Sequence, residues 1–111
     1  MVKVQIFRNS FGEIIEVEMK GHAGAAPRGE DLVCAGISSI CQTALLGLLN
    51  YLNLKIDYKI ASGYLHFKVP DFKDDEIRVG SKAILETMFL GLKNVEEFNQ
   101  KHLSINEKEV L

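Results

Sequence analysis

Two residues that can act together as a nucleophile and its base, His22 and Cys34, lie in the segment 21–39. A cysteine attacks a carbonyl carbon as its thiolate, and a histidine exchanges protons near neutral pH. Asp31 is a good N-cap for the helix that follows, which makes Cys34 the third helical residue. There the thiol lies beside unpaired backbone N–H groups and the positive end of the helix dipole, an environment that lowers a thiol pKa. The sequence therefore predicts a nucleophilic cysteine at a helix start, with a histidine able to reach it.

Each of these residues also has an ordinary structural interpretation. Free cysteine is among the most buried residue types, and a loop histidine is often surrounded by solvent. Asp31 can orient His22, but its role as an N-cap is enough to explain its presence. Ser38, one turn after Cys34, either forms a hydrogen bond near the thiol or satisfies a backbone carbonyl. The position of Cys34 at the helix start is what favours chemistry over packing.

The remaining cysteine and histidines are poorer candidates. Cys41 lies two turns deeper in an apolar run, so we expect it in the core. His66 falls on the side of a predicted strand that faces away from the helices, and His102 lies beyond the second predicted helix.

Two other kinds of site use the same residues. A zinc site built from His22, Cys34 and Cys41 would lack the close ligand pairs that zinc sites generally use. A phosphate-binding loop in residues 21–30 would lack the Gly-Lys-Ser/Thr ending, and Glu30 and Asp31 would repel phosphate. We therefore expect neither a metal nor a cofactor.

Composition sets the class of the protein. The 111 residues carry a formal net charge of −2 and two cysteines. This length predicts one domain over residues 1–111, and the slight excess of acids gives no electrostatic reason to expect direct nucleic-acid binding. Seven residues apart in a helix, the cysteines would lie about 10 Å apart, too far for a disulfide. Free thiols, and a start without a signal-peptide hydrophobic region, predict a cytoplasmic location.

The uncharged run from Leu32 to Leu54 is long enough to span a bilayer. Polar side chains interrupt it, however, and the short amphipathic strands around it need a core helix. We therefore expect a buried helix and no membrane contact.

Hydrophobic periodicity predicts an α+β fold with the order β-β-α-β-β-α-(β). It should form two layers, a largely antiparallel sheet with two helices on one face. The predicted strands are 2–8, 13–20, 54–60, 65–69 and a short one in the tail 103–111. The first helix should run from Leu32 to about Leu52. The second should follow the acidic connection 71–76 and end near Lys101, with Phe98 on its apolar face, and Gly80 can delay its start to Ser81.

The motif around these residues resembles the bacterial ribosomal-processing cysteine protease family, Prp. The resemblance rests on Gly21-His22-Ala23, Gly29, Asp31-Leu32-Val33-Cys34-Ala35 and Ser38. The family pattern is a Gly-His-Ala, a short loop, then G-x-D-[IL]-V-C-A-x-[IV]-S. Gly36 departs from it, where a larger residue is common, but does not touch the chemistry. Length, the early hairpin and the two-helix order agree as well.

The resemblance implies a cysteine endopeptidase with Cys34 as nucleophile and His22 as base, supported by Gly21, Asp31 and Ser38. Its substrate would be the N-terminal extension of a large-subunit ribosomal protein, clipped for ribosome assembly, with a short extension that is aromatic-rich at its cleavage point. The resemblance also implies a homodimer. A substrate-binding loop would consist of Ala23, Gly24, Ala25, Ala26, Pro27, Arg28, Gly29 and Glu30.

Two functions from other classes compete with the peptidase. A non-catalytic, ribosome-associated module could use the same groove to hold a peptide without cleaving it. A thiol redox sensor fits less well, because Cys41 is too far from Cys34 to resolve an oxidised thiol.

Overall fold

A computed structural model of the chain describes residues 1–22 and 31–110. Its elements are β1 (Val2–Arg8), β2 (Ile14–Lys20), α1 (Leu32–Leu46), a π-helical turn (Gly47–Tyr51), β3 (Tyr58–Ala61), β4 (Tyr64–Lys68), α2 (Asp75–Phe98) and β5 (Leu103–Glu109). The strands form one five-stranded sheet in the order β3-β4-β2-β1-β5. Every pair is antiparallel except β1 with β5. The predicted α+β fold is therefore confirmed, including the tail strand.

One face of the sheet carries the core. Alternate side chains of the strands are buried there, because successive residues of a strand point to opposite faces. The helices cover the same face and contribute Ile37, Cys41 and Leu45 from α1 and Leu85, Met88 and Leu92 from α2. The buried strand residues are Val2, Val4, Ile6, Ile14, Val17, Met19, Leu65, Phe67 and Leu103.

The first helix does not stay α-helical to Leu52 as predicted. It changes to π-helical pairing at Gly47, whose carbonyl accepts the N–H of Leu52 at 3.0 Å. A Cβ on Gly47 would lie 3.2 Å from Cδ1 of Ile84 in α2. Glycine at this position therefore allows the two helices to approach closely where α1 changes its pairing.

The third strand is shorter than its sequence alternation predicted. Leu54 and Ile56 are buried but lie before β3, which begins at Tyr58. Tyr58 and Ile60 pair with Phe67 and Leu65, so they share the core-facing side, yet both are exposed. The reason is position, because β3 is the edge strand and the helices do not extend over it.

The predictions for the second helix were partly wrong. α2 begins at Asp75, inside the predicted connection 71–76 and well before the delayed start at Ser81, because the Asp74 carboxylate accepts the N–H of Ile77 at 3.0 Å and caps the helix there. Gly80 lies inside the helix, where a Cβ would be 3.1 Å from the Leu52 side chain. Phe98, expected on the apolar face, is the last helical residue and is 76% exposed. Periodicity places Phe98 on the apolar side of α2. It does not show that the rest of the protein no longer covers that side at the end of the helix.

Candidate active site

The cap of α1 sets the position of Cys34. One carboxylate oxygen of Asp31 accepts the backbone N–H of Cys34 at 3.0 Å. The Asp31 carbonyl accepts the N–H of Ala35 at 3.1 Å, which is the first i→i−4 bond of the helix. Asp31 is thus the N-cap and Cys34 the third helical residue, as predicted. The amides of Leu32 and Val33 precede that first bond and have no carbonyl partner within the helix.

The two thiols have different surroundings. Cys34 is half-buried at the margin of the core, whereas Cys41 is fully buried. Burial raises the pKa of Cys41 to about 12. The prediction that Cys41 belongs to the core is therefore confirmed. Two residues before Cys34, Leu32 is 85% exposed and gives the start of the helix an apolar surface.

His22 follows a glycine that turns the chain out of the sheet. The β2–β4 ladder ends with Lys20 opposite Tyr64, and one further bond runs from the N–H of Gly21 to the carbonyl of Gly63 at 2.8 Å. Gly21 has φ +101°, and a Cβ there would lie 2.5 Å from the carbonyl oxygen of Met1. Only glycine fits this position without strain.

The exposed His22 side chain then lies against the turn between β3 and β4. A Cβ built on Gly63 would be 2.7 Å from Nε2 and 3.0 Å from Cε1 of the His22 imidazole. Ser62 and Gly63 form this turn. Its contact with the histidine could not be predicted from the sequence, because the contact depends on the strand order.

Cys34 and His22 lie toward the same end of the sheet. Leu49, after the end of α1, lines a cavity with the hairpin turn between β1 and β2. The start of α1 must therefore point to the opposite end, where His22 leaves β2. The lengths agree, since 15 helical residues span about 22 Å and seven strand residues about 23 Å.

Within residues 1–22 and 31–110, no hydrogen bond joins the His22 ring to the Cys34 thiol. The predicted substrate-binding loop, residues 23–30, connects the two and lies outside the described residues. Ser38 accepts a hydrogen bond from Nε2 of Gln42 at 2.8 Å, so its described partner is a side chain of its own helix.

The other histidines are separate from this arrangement. His66 contacts Glu16 at 2.6 Å on the sheet face away from the helices, as its parity predicted. The carbonyl of His102 accepts the N–H of Val2 at the start of β1. Within the described parts of the chain, no group of three or more His, Cys, Asp or Glu side chains could hold a metal ion.

A half-buried cysteine in the first turn of a capped helix, with a glycine-held histidine at the same end of the sheet, is the arrangement of a cysteine hydrolase. The comparisons with known proteins agree. A family model described as Cysteine protease Prp matches residues 1–104. The chain belongs to this family, as its motif predicted, and it is therefore a cysteine protease.

Relatives and a solved structure extend the match over nearly the whole chain. The ribosomal processing cysteine protease Prp of Staphylococcus aureus is 32% identical over 111 residues, covering 97% of this chain and 100% of that protein. The protein of the same name from Bacillus subtilis is 29% identical over 107 residues, covering 95% and 96%. The crystal structure of S. aureus Prp with a covalently linked product peptide has a TM-score of 0.86 at 29% identity, covering 97% of this chain and 100% of that one.

Proposed function

We propose that this chain is a single-domain endopeptidase that removes the N-terminal extension of a large-subunit ribosomal protein, with Cys34 as nucleophile and His22 as base. The observation that carries the proposal is the position of Cys34, half-buried and third in a helix capped by Asp31. Relatives named ribosomal processing cysteine proteases support the substrate class, and a product peptide linked covalently to the S. aureus protein supports covalent catalysis.

Acylation is the first step of the proposed mechanism. His22 accepts the thiol proton, and the Cys34 sulfur attacks the scissile carbonyl carbon, forming a C–S bond. The negative charge moves to the carbonyl oxygen, where the amides of Leu32 and Val33 can stabilise it. The amide of Cys34 itself is occupied by Asp31. When the C–N bond breaks, the His22 imidazolium gives its proton to the leaving amine, and the acyl-enzyme remains.

Deacylation completes the cycle. Neutral His22 takes a proton from water, and the resulting hydroxide attacks the thioester carbon. The C–S bond breaks, the peptide leaves as a carboxylic acid that loses its proton to solvent, and the proton on His22 is available for the returning thiolate. Overall, one peptide bond and one water become a carboxylate and an ammonium group, because the released amine takes up a proton equivalent to the one that the acid gives to solvent.

The remaining predicted residues support this cycle. Asp31 fixes the helix start, and Gly21 turns the chain so that His22 leaves the sheet. Ser38, one turn after the nucleophile, accepts a hydrogen bond from Gln42 of the following turn. We assign residues 23–30, which precede the helix in the sequence, to substrate binding. The exposed Leu32 at the helix start provides an apolar side chain for an aromatic-rich cleavage point.

The test is cleavage of an extended ribosomal-protein N-terminus followed by mass spectrometry. Wild type and Cys41→Ala should both release the extension, because Cys41 is buried in the core. Cys34→Ala and His22→Ala should be inactive or nearly so. Undiminished turnover in either variant would remove that residue from the mechanism. Tight peptide binding by the wild type without any cleavage would instead support the non-catalytic binding module.

A second copy of the chain is the partner we propose for the outer face of the helices. A groove of about 750 Å³ between α1 and α2 is lined mainly by small and apolar residues, among them Ile40, Gly47 and Gly91. Leu46 and Leu90 are exposed, by 54% and 68%. The segment Leu32–Tyr51 is also apolar and long enough to cross a membrane, with mean hydropathy 1.9. A homodimer would cover this surface in the cytoplasm, a location that the free thiols and the proposed ribosomal substrate support.

Light scattering after gel filtration tests the dimer. Leu46→Glu with Leu90→Glu should halve the measured mass, because two carboxylates would be buried in the interface. Phe11→Glu is the control, since Phe11 is 83% exposed at the distant hairpin turn. A wild-type mass of one chain would contradict the dimer. Cosedimentation of the wild type with lipid vesicles would show that a membrane covers the helices instead.

A further inference from the structure

The turn between β3 and β4 supports the imidazole of His22. Ala61 pairs with Tyr64, which leaves Ser62 and Gly63 as a two-residue turn, with Gly63 at φ +68°. Its carbonyl accepts the N–H of Gly21, so the turn also holds the residue that precedes His22. Gly63 thus interacts with the Gly21–His22 segment in two ways. Its carbonyl accepts the N–H of Gly21, and the His22 ring occupies the space that a side chain at position 63 would fill.

The close approach depends on the absence of a side chain at Gly63. A Cβ there would lie 2.7, 3.0 and 3.3 Å from Nε2, Cε1 and Cδ2 of His22. All three atoms belong to the ring, and carbon contacts in proteins are normally near 3.5–4.0 Å. A side chain at this position would therefore have to displace the imidazole.

We propose that Gly63 is a positioning residue for His22, setting where the imidazole lies and leaving space for Nε2. The inference rests on the proposed role of His22 as the base. The exposed ring can move more easily than a backbone, so a Cβ at Gly63 shifts the imidazole while the sheet stays folded. A misplacement of about 1 Å in a catalytic group can reduce a rate by about a hundredfold.

Gly12 provides a matched control. It lies in the turn between β1 and β2, has φ +79°, and a Cβ there would meet nothing within 4 Å. Gly63→Ala and Gly12→Ala impose a similar backbone strain, but only the first places an atom against the imidazole. A second pair, Gly63→Asn and Gly12→Asn, reduces that strain, because asparagine tolerates the left-handed conformation better than alanine.

The experiment measures kcat, KM and the pH profile of peptide cleavage for wild type and all four variants. Both Gly63 variants should lose roughly ten- to a hundredfold in kcat. Their KM should change little, and the limb of the pH profile that depends on His22 should move. The Gly12 variants should stay within about twofold of wild type in both parameters. A second measurement follows the His22 ring proton signals by NMR in a Cys34→Ala background, where only the Gly63 changes should shift them.

Two results would overturn the positioning role. One is wild-type kcat and pH profile in the Gly63 variants while His22→Ala is inactive. The other is an equal loss in the Gly12 variants, which would make the effect one of general strain. Full activity of His22→Ala would refute the base assignment itself, and the NMR signals would still report whether Gly63 contacts the ring.

Discussion

Both helices begin with an aspartate cap, and comparing the two caps distinguishes a loss of stability from a loss of catalytic activity. Asp31 accepts the amide of Cys34 at 3.0 Å, and Asp74 accepts the amide of Ile77 at 3.0 Å, each from the third residue of its helix. The two capping bonds are equivalent in length and position. Only the first, however, holds a residue proposed to react with substrate.

Alanine at either cap should destabilise the protein by a similar amount. Loss of an Asp N-cap costs about 1 kcal/mol, within a range of about 0.5–2. For a chain of this size that corresponds to a fall in Tm of about 4–6 °C. Because 1.4 kcal/mol is a factor of ten, about 1 kcal/mol raises the population with an open first turn by about fivefold. We therefore expect Asp31→Ala to lower kcat/KM by at most about fivefold, with the full factor reached only if the open turn is the major state, and Asp74→Ala to leave it unchanged.

Thermal denaturation and peptide cleavage on the same preparations check this prediction. Asp31→Asn is the conservative variant, because asparagine caps a helix about as well as aspartate, and it should keep kcat/KM within about twofold of wild type. Equal kcat/KM for Asp31→Ala and Asp74→Ala, at equal loss of Tm, would refute the reasoning. It would mean that the first turn of α1 need not be fixed for the reaction.

Three further predictions concern thiol reactivity, pH and a buried ion pair. Iodoacetamide should label the half-buried Cys34 in the native protein and reach Cys41 only after unfolding; two labels on native protein would contradict this. Since burial raises the pKa of Cys41 from 9.0 to about 12, the unfolded thiol ionises first. Ionisation of Cys41 should therefore lower the free energy of unfolding between pH 9 and 12, by up to about 1.4 kcal/mol per pH unit, and this contribution to the slope should be absent in Cys41→Ala. Arg8 pairs with Glu86 at 2.7 Å and with Glu107 at 2.8 Å, and its side chain is 18% exposed. Arg8→Met removes both pairs and should lower the free energy of unfolding in urea by about 1.5–3 kcal/mol. Arg78 lies 3.4 Å from Glu13, and its side chain is 43% exposed. Arg78→Met should therefore lower the free energy of unfolding by no more than about 0.5 kcal/mol. Equal losses for the Arg8 and Arg78 variants would contradict the argument.

Local sequence signals predicted the parts of the fold that depend on short-range physics. Strand alternation located β1, β2 and β4, and Asp31 marked the start of α1, because a cap acts through a bond only three residues away. The strand order could not be predicted in the same way. The parallel pairing of β1 with β5 joins the two ends of the chain, and no local pattern specifies it.

The errors have a common physical cause. Tyr58, Ile60 and Phe98 follow the apolar period of their elements, yet all three are exposed. Periodicity shows which side of an element faces the core, whereas burial also requires something to cover that side. At an edge strand and at the end of a helix no other element covers the apolar side. Residues there follow the apolar period and are nevertheless exposed.

The two residues of the candidate site also differ in this respect: the position of one depends on local contacts, and the position of the other on long-range contacts. Cys34 could be found from the sequence because its environment is made by its own helix. The position of His22 depends on Gly63, which is 41 residues further along the chain and adjacent only because β4 pairs with β2. The proposed nucleophile is thus held by a local cap, and the proposed base by two glycines, one of which packs against the carbonyl of Met1. It follows that changes to the sheet edge or to the N-terminus should act on the base before they affect the nucleophile.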